Sequence, residues 1–136
     1  MNVRLNGNGQ YVRCALVMAL MLSCTFGFRS TMAEVGVSEN AIRIGGVMDL
    51  RGDSRGLGEG MRQGIQTALS GETVQGKRIE FTAVNDNYSP ERTVVATRRL
   101  VEAGVFAMVG NVGTPTAKVS LPLLAEAGVP AVGFFT

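Results

Sequence analysis

Val105 to Val109 is an uncharged run of five apolar residues, and five positions later the chain turns to helix-starting chemistry at Thr114-Pro115. Unbroken apolarity over the length of a strand means burial on both faces, as inside a parallel sheet. Thr114 is a favourable N-cap, and Pro115 suits the first helical position. Between strand and helix, Gly110 and Gly113 allow a tight turn and a close approach of a ligand to the backbone. The first turn of a helix carries unpaired N–H groups and a partial positive charge, so a carboxylate or phosphate can dock there. Open α/β sheets hold their ligands at this carboxyl edge of the strands.

The rest of the chain repeats the alternation. Ala41 to Met48 reads as a first strand, with Ile42 and Ile44 alternating against Arg43. A polar loop follows from Asp49 to Gly56. Leu57 to Ser70 reads as a helix, because Leu57, Met61, Ile65 and Leu69 recur every four residues on one stripe. Gly60 and Gly64 weaken that helix by about 1 kcal/mol each relative to Ala. They are expected to mark a close approach to a neighbouring element. Gly71 to Gly76 reads as a turn, and Arg78 to Val84 as a second strand with Ile79, Phe81 and Ala83 on one face. Ser89 caps a second helix, Pro90 opens it, and Gly104 ends it after Ala103. The third helix is expected from Pro115 to about Ala127, with Ala117, Leu121 and Leu124 inward and Pro122 kinking it. Pro130 to Phe135 is a fourth strand. The order β-α-β-α-β-α-β with short links predicts a three-layer α/β fold: a parallel sheet, right-handed crossovers, and helices on both faces.

The first third is different material. Cys14 to Phe28 is apolar or small throughout, behind Arg4 and Arg13. Thr31 and Ala33 are the small residues a signal peptidase accepts, so residues 1–33 read as a secretory signal peptide, with 34–136 the mature part. The apolar run is about 15 residues, short of the roughly 20 that span a bilayer. Two other readings of the segment are a retained anchor and a lipoprotein signal. For the latter, Met21-Leu-Ser-Cys24 resembles a lipobox, with Met where Leu is usual, and lipid would attach at Cys24. The leader carries three of the 13 basic residues and none of the 11 acidic ones, so the mature part has a net charge of −1. The overall basicity therefore gives no support to a nucleic-acid partner. Both cysteines, Cys14 and Cys24, lie in the leader, so the mature part offers no thiol as nucleophile, disulfide or metal ligand.

Catalytic chemistry finds little foothold. The chain has no His, which excludes a His general base. Gly56-Leu-Gly58-Glu-Gly60 falls short of a dinucleotide motif, because Met61 stands where the third Gly belongs. There is no phosphate-binding G-x-x-x-x-G-K-[ST] motif. No pair of acids has the spacing of a metal site or a glycosidase dyad. Thr114 and Thr116 lack a base that would make them nucleophiles. Arg51-Gly52-Asp53 reads as an ordinary polar loop. Arg51 and Arg55 in that loop are the cations placed to reach an anion near Gly110 to Thr116. Asp49, Asp53 and Asp86 are acids near strand ends, for which loop and cap hydrogen bonding is the plain role. A rival reading takes Asp49 and Asp86, with phosphate at Thr114, for a flavodoxin- or receiver-like domain.

Five segments together resemble a known family. Val37-Ser-Glu-Asn-Ala-Ile-Arg-Ile-Gly-Gly-Val-Met-Asp-Leu50 is similar to the opening strand of type I periplasmic binding proteins of the branched-chain amino-acid group. Gly52 to Gly58 occupies the first binding loop of that family. Asn85-Asp-Asn-Tyr-Ser-Pro90 resembles its D-D-x-x-x-P turn. Val109 to Thr116 and Gly128 to Thr136 resemble its two ligand loops. The five occur in order, at the family's spacing, behind a leader.

The resemblance implies a two-lobed cleft that closes on a small solute and delivers it to a membrane ABC permease, without catalysis, metal or cofactor. It implies that Thr114, through hydroxyl and N–H, holds a ligand carboxylate. Val112 and Gly113 line the same wall with backbone. Phe134 and Phe135 offer carbonyls, and Thr136 a hydroxyl and N–H. Leu57 falls where many relatives place an aromatic, and Arg51 where the family usually has Ser. The ligand expected is a branched-chain amino acid or a related carboxylate, and a sensory domain of the same fold is the alternative use. A full member has two lobes, so residues 34–136 are expected to be an N-terminal lobe that is truncated.

Overall fold

The structure, a computed structural model, describes residues 34–136. The segment read as a leader, with its expected cleavage site and Cys24, lies outside the described residues. Eight elements follow in chain order. They are β1 (Ala41–Met48), α1 (Arg55–Leu69), β2 (Thr73–Val74), β3 (Lys77–Asn85), α2 (Pro90–Glu102), β4 (Ala107–Val109), α3 (Thr114–Glu126) and β5 (Ala131–Val132).

The strands form one five-stranded sheet in the order β2-β3-β1-β4-β5. β1 pairs in parallel with β3 along its whole length, Ala41 opposite Arg78 through Met48 opposite Asn85. On its other side β1 pairs in parallel with β4, which pairs in parallel with β5. β2 alone is antiparallel, joined to β3 by a hairpin. The segment read as a turn therefore also contributes an edge strand. Its corner is Gln75-Gly76, both at positive φ (52° and 77°), as a two-residue hairpin turn requires.

Burial follows the strand positions. Central β1 is buried at six of eight residues, whereas β3 alternates half-buried Ile79, Phe81 and Ala83 with exposed Arg78, Glu80 and Thr82. The connection from β1 to β3 and the one from β3 to β4 run in opposite directions across the sheet. Right-handed crossovers therefore put α1 on one face, with α2 and α3 on the other. The core lies under α2 and α3. Val47, Ala96, Leu100, Val105, Met108 and Leu124 form it, joined by Val84, Val101, Val129, Ala131 and Phe134. Burying a side chain such as Leu100 contributes about 1.5–3 kcal/mol.

α2 starts as its sequence predicts. Ser89 Oγ accepts from Arg92 N–H at 3.4 Å and donates to Glu91, with Pro90 in the first turn. α3 departs in detail. It continues through Pro122 to Glu126 as one element. Its inward face is Thr116, Ala117, Ser120 and Leu124, and Leu121 is 46% exposed rather than inward. α2 presents Thr93, Ala96, Thr97 and Leu100 on its own buried face. The small side chains let the two helices approach closely, and a branched Leu121 sits better outside that seam.

The glycines of α1 also differ from expectation. A Cβ on Gly60 or Gly64 would meet nothing within 4 Å. The close approach is at Gly58, where a Cβ would stand 1.9 Å from the Asp49 carbonyl oxygen. The first turn of α1 thus packs directly on the end of β1.

Candidate functional site at the carboxyl edge of the sheet

β3 and β4 flank β1, so the winding direction reverses between β1 and β4. Doubly wound sheets bind ligands in the crevice outside such a reversal. Here the crevice is knitted by the loop after β4. Val47 N–H donates to Asn111 Oδ1 at 3.0 Å, and Val112 N–H donates back to the Val47 carbonyl at 3.3 Å. On the other side, Phe135 N–H donates to the Asn111 carbonyl at 2.9 Å, and Gly113 N–H to the Phe135 carbonyl at 2.8 Å. The sheet is extended beyond β4 and β5, with Val112 bridged to Phe135 in parallel. Asn111 is buried, and its Nδ2 has no partner among the described residues.

Two acids and an amide organise the other loops. Asp49 is fully buried, and its carboxylate accepts from the N–H groups of Arg51 (3.1 Å), Gly52 (2.6 Å) and Ser54 (2.9 Å). Asn85 Oδ1 accepts from Leu50 N–H at 2.7 Å, tying the loop after β1 to the loop after β3. Asp86 is fully buried and accepts from Tyr88 N–H at 2.9 Å and the Thr93 hydroxyl at 2.7 Å. Burial pushes the Asp86 carboxyl above the ordinary range. The Thr93 and Tyr88 hydrogen bonds oppose that shift, and the nearby Asp49 charge adds to it. Both acids are spent on their own loops, which is the plain role read for them from sequence.

The start of α3 corrects the sequence reading. Gly113, at φ 113°, is the N-cap, and Thr114 is already helical. The glycine makes the turn by itself in a left-handed conformation open to few other residues. The hydroxyl that secures the loop belongs to Thr116. It is buried and donates to the carbonyls of Val112 (2.7 Å) and Gly113 (2.8 Å). Thr114 is exposed, its hydroxyl makes no hydrogen bond among the described residues, and its N–H has no backbone acceptor.

The other residues singled out from sequence fall into three groups. Val112 is buried, and its N–H and that of Gly113 are consumed within the fold. Leu57 and Phe135 are exposed and line one open apolar groove of about 500 Å³ with Met61 and Ile65. Phe134 packs on the core, and Thr136, two residues on, is exposed. Arg51 lines a separate groove over β3 with Asn85 and Arg99, and Arg55 is exposed at the start of α1. The structure thus joins the Phe135 and Gly113 segments directly and leaves Arg51 on the β3 side.

Sequence reasoning missed Tyr88. Its ring carbons Cε2 and Cζ lie 2.6 Å and 3.0 Å from where a Cβ on Gly113 would stand. Asn87 and Tyr88 are consecutive non-glycine residues at positive φ, 51° and 57°. The available signal was an aromatic in a turn otherwise built from Asn, Asp and Ser.

Comparison with known proteins agrees with this architecture. A family model for periplasmic binding proteins matches residues 41–136. No curated protein matches the chain. Among solved structures, the chain is similar to a possible leucine/isoleucine/valine-binding protein from Rhodopirellula baltica SH 1. That match has 33% identity and a TM-score of 0.69, covering 79% of this chain and 29% of the other. An ABC transporter substrate-binding protein from Sphaerobacter thermophilus matches at 28% identity and TM-score 0.65, over 68% of this chain and 26% of the other. A solute binding protein of an ABC transporter from Rhodopseudomonas palustris BisB5, solved with 3,4-dihydroxy benzoic acid, matches at 25% identity and TM-score 0.65, over 71% and 28%. The chain spans under a third of the length of these proteins. With the doubly wound sheet, its reversal point and the match over residues 41–136, the chain belongs to the periplasmic binding protein family.

Proposed function

We propose that this chain provides the first wall of a solute-binding cleft that captures a small carboxylate outside the cytoplasm for an ABC importer. The observation that carries the reading is Thr114. At the reversal point of the sheet, its hydroxyl and N–H stay free after Val112, Gly113 and the Thr116 hydroxyl have bonded within the loop. Donors fixed at a helix start, with partial positive charge behind them, suit one carboxylate. Exposed Leu57 and Phe135 offer apolar surface for the body of the solute. Binding and release, not bond making, is the activity such a wall supports.

The relatives supply the range of solutes. One is a possible leucine/isoleucine/valine-binding protein, and another is solved with 3,4-dihydroxy benzoic acid. Their shared chemistry is a carboxylate on a compact, largely apolar body. The test is a titration of the purified protein with L-leucine and with 3,4-dihydroxybenzoate, followed by calorimetry or NMR line shape. Saturable binding of at least one, weakened about tenfold or more in Thr114→Val, is the expected result. Equal binding by the variant would overturn the assignment.

A further inference from the structure

We propose that Tyr88 is a second ligand-contacting residue, its phenol hydroxyl donating to the carboxylate that docks at Thr114. The proposal rests on the reading of this edge as a carboxylate site.

Four observations converge on it. The first is position. Cζ, the ring carbon that bears the hydroxyl, lies 3.0 Å from the Cβ position of Gly113, the residue that caps α3 and precedes Thr114. The phenol oxygen is one C–O bond from that atom, so it sits at the threshold of the helix.

The second is availability. Tyr88 is 36% exposed, and its hydroxyl has no hydrogen-bond partner among the described residues.

The third is rigidity. Tyr88 N–H is held by the Asp86 carboxylate, which also accepts from Thr93. Asn85 Oδ1 accepts from Asn87 N–H, and Asn85 Nδ2 donates to Asn87 Oδ1. Two successive left-handed non-glycine residues persist because these bonds over-determine them, a condition met where a side chain must be presented in one place.

The fourth is demand. A carboxylate has two oxygens, each seeking a donor. Thr114 brings its hydroxyl and N–H, and a further donor beside it strengthens the hold on both oxygens. Val112 and Gly113 N–H are bonded within the fold, and Pro115 has no N–H. The Tyr88 hydroxyl is a free, partly exposed side-chain donor beside them. A second donor aimed at the acid also sets selectivity, since a neutral amide presents only one oxygen.

The decisive variant is Tyr88→Phe, which keeps the ring against Gly113 and removes only the hydroxyl. Affinity for L-leucine and for 3,4-dihydroxybenzoate is measured beside that for leucinamide and 3,4-dihydroxybenzamide. The expected result is about a tenfold loss for the acids, as for a hydrogen bond to a charged group, with the amides little changed. Y88F binding the acids like wild type, or losing acids and amides alike, would overturn the proposal.

A second readout uses the wild-type chain. It has no Trp and two Tyr, Tyr11 and Tyr88, so a ligand-induced change in emission that is lost in Y88F is assigned to Tyr88. L-leucine, which is colourless, is expected to change that emission, and the change should vanish in Y88F. Leucine binding with no change in emission counts against contact. The two readings fail separately. If T114V weakens the acids and Y88F does not, Tyr88 alone is excluded, whereas if wild type binds neither acid, both fall.

Discussion

The ring of Tyr88 rests on Gly113, with Cε2 2.6 Å from the site a Cβ would occupy, so the turn after β3 and the turn that starts α3 are one packed unit. Three adjacent loops meet there, since Asn85 also accepts from Leu50 N–H in the loop after β1. Gly113 has two independent reasons to lack a side chain, its φ of 113° and this contact. Gly113→Ala is therefore expected to destabilise the fold by about 2 kcal/mol or more. Urea unfolding of the two proteins measures it, and a loss under about 0.5 kcal/mol would contradict the packing described.

The glycines of α1 separate by sign. A Cβ at Gly58 collides with the Asp49 backbone, whereas Gly60 and Gly64 face open space. Gly58→Ala is expected to cost about 1–3 kcal/mol. Gly60→Ala and Gly64→Ala are expected to gain about 0.5–1 kcal/mol each, from helix propensity. Thermal melts of the three variants give the ordering.

Two threonines two residues apart divide structure from binding. The buried Thr116 hydroxyl shares its one proton between two carbonyls, so Thr116→Val is expected to lose about 1–2 kcal/mol of stability. Exposed Thr114 contributes no such bond, so Thr114→Val should stay within about 0.5 kcal/mol of wild type while losing ligand. Chemical denaturation beside a ligand titration distinguishes them.

Asp86 gives the fold a pH dependence of unusual sign. Desolvation raises its carboxyl above the value it has in the unfolded chain, so in that window the folded state binds more proton. Stability from this group is greatest at low pH and falls as pH rises through the raised value, the reverse of a salt-bridged acid. Asp86→Asn keeps an acceptor for Tyr88 N–H. It also lets Thr93, which donates to the Ser89 carbonyl, accept from the new amide. The variant is expected to flatten the decline of unfolding free energy as pH rises above the ordinary aspartate range. Parallel slopes for both proteins would refute the role given to burial.

How much of this was legible in the sequence depends on the range of the interaction. Ser89-Pro90 and the β1 and β3 alternation were readable because capping and strand period are local. The carboxyl edge was placed correctly because a buried strand followed by Gly113-Thr114-Pro115 dictates it. The division of labour inside that edge was not readable. Whether Thr114 or Thr116 serves the loop depends on Gly113 taking the cap with its own backbone, and both hydroxyls lie within one turn. Asn111 zips β4 to Val47, 64 residues away, and Tyr88 meets Gly113 across 25, distances at which no periodic pattern speaks. Gly58 and Gly60 look alike in sequence, and only the position of Asp49 tells them apart.

The account turns on one contact, a carboxylate at the free N–H of Thr114. Backbone amide chemical shifts of 15N-labelled protein, followed while L-leucine or 3,4-dihydroxybenzoate is added, observe that contact residue by residue. The largest saturable shifts are predicted at Thr114 and at Tyr88, with α2 silent. Saturable shifts centred on Arg51 to Arg55, with the Thr114 amide unmoved, would contradict it.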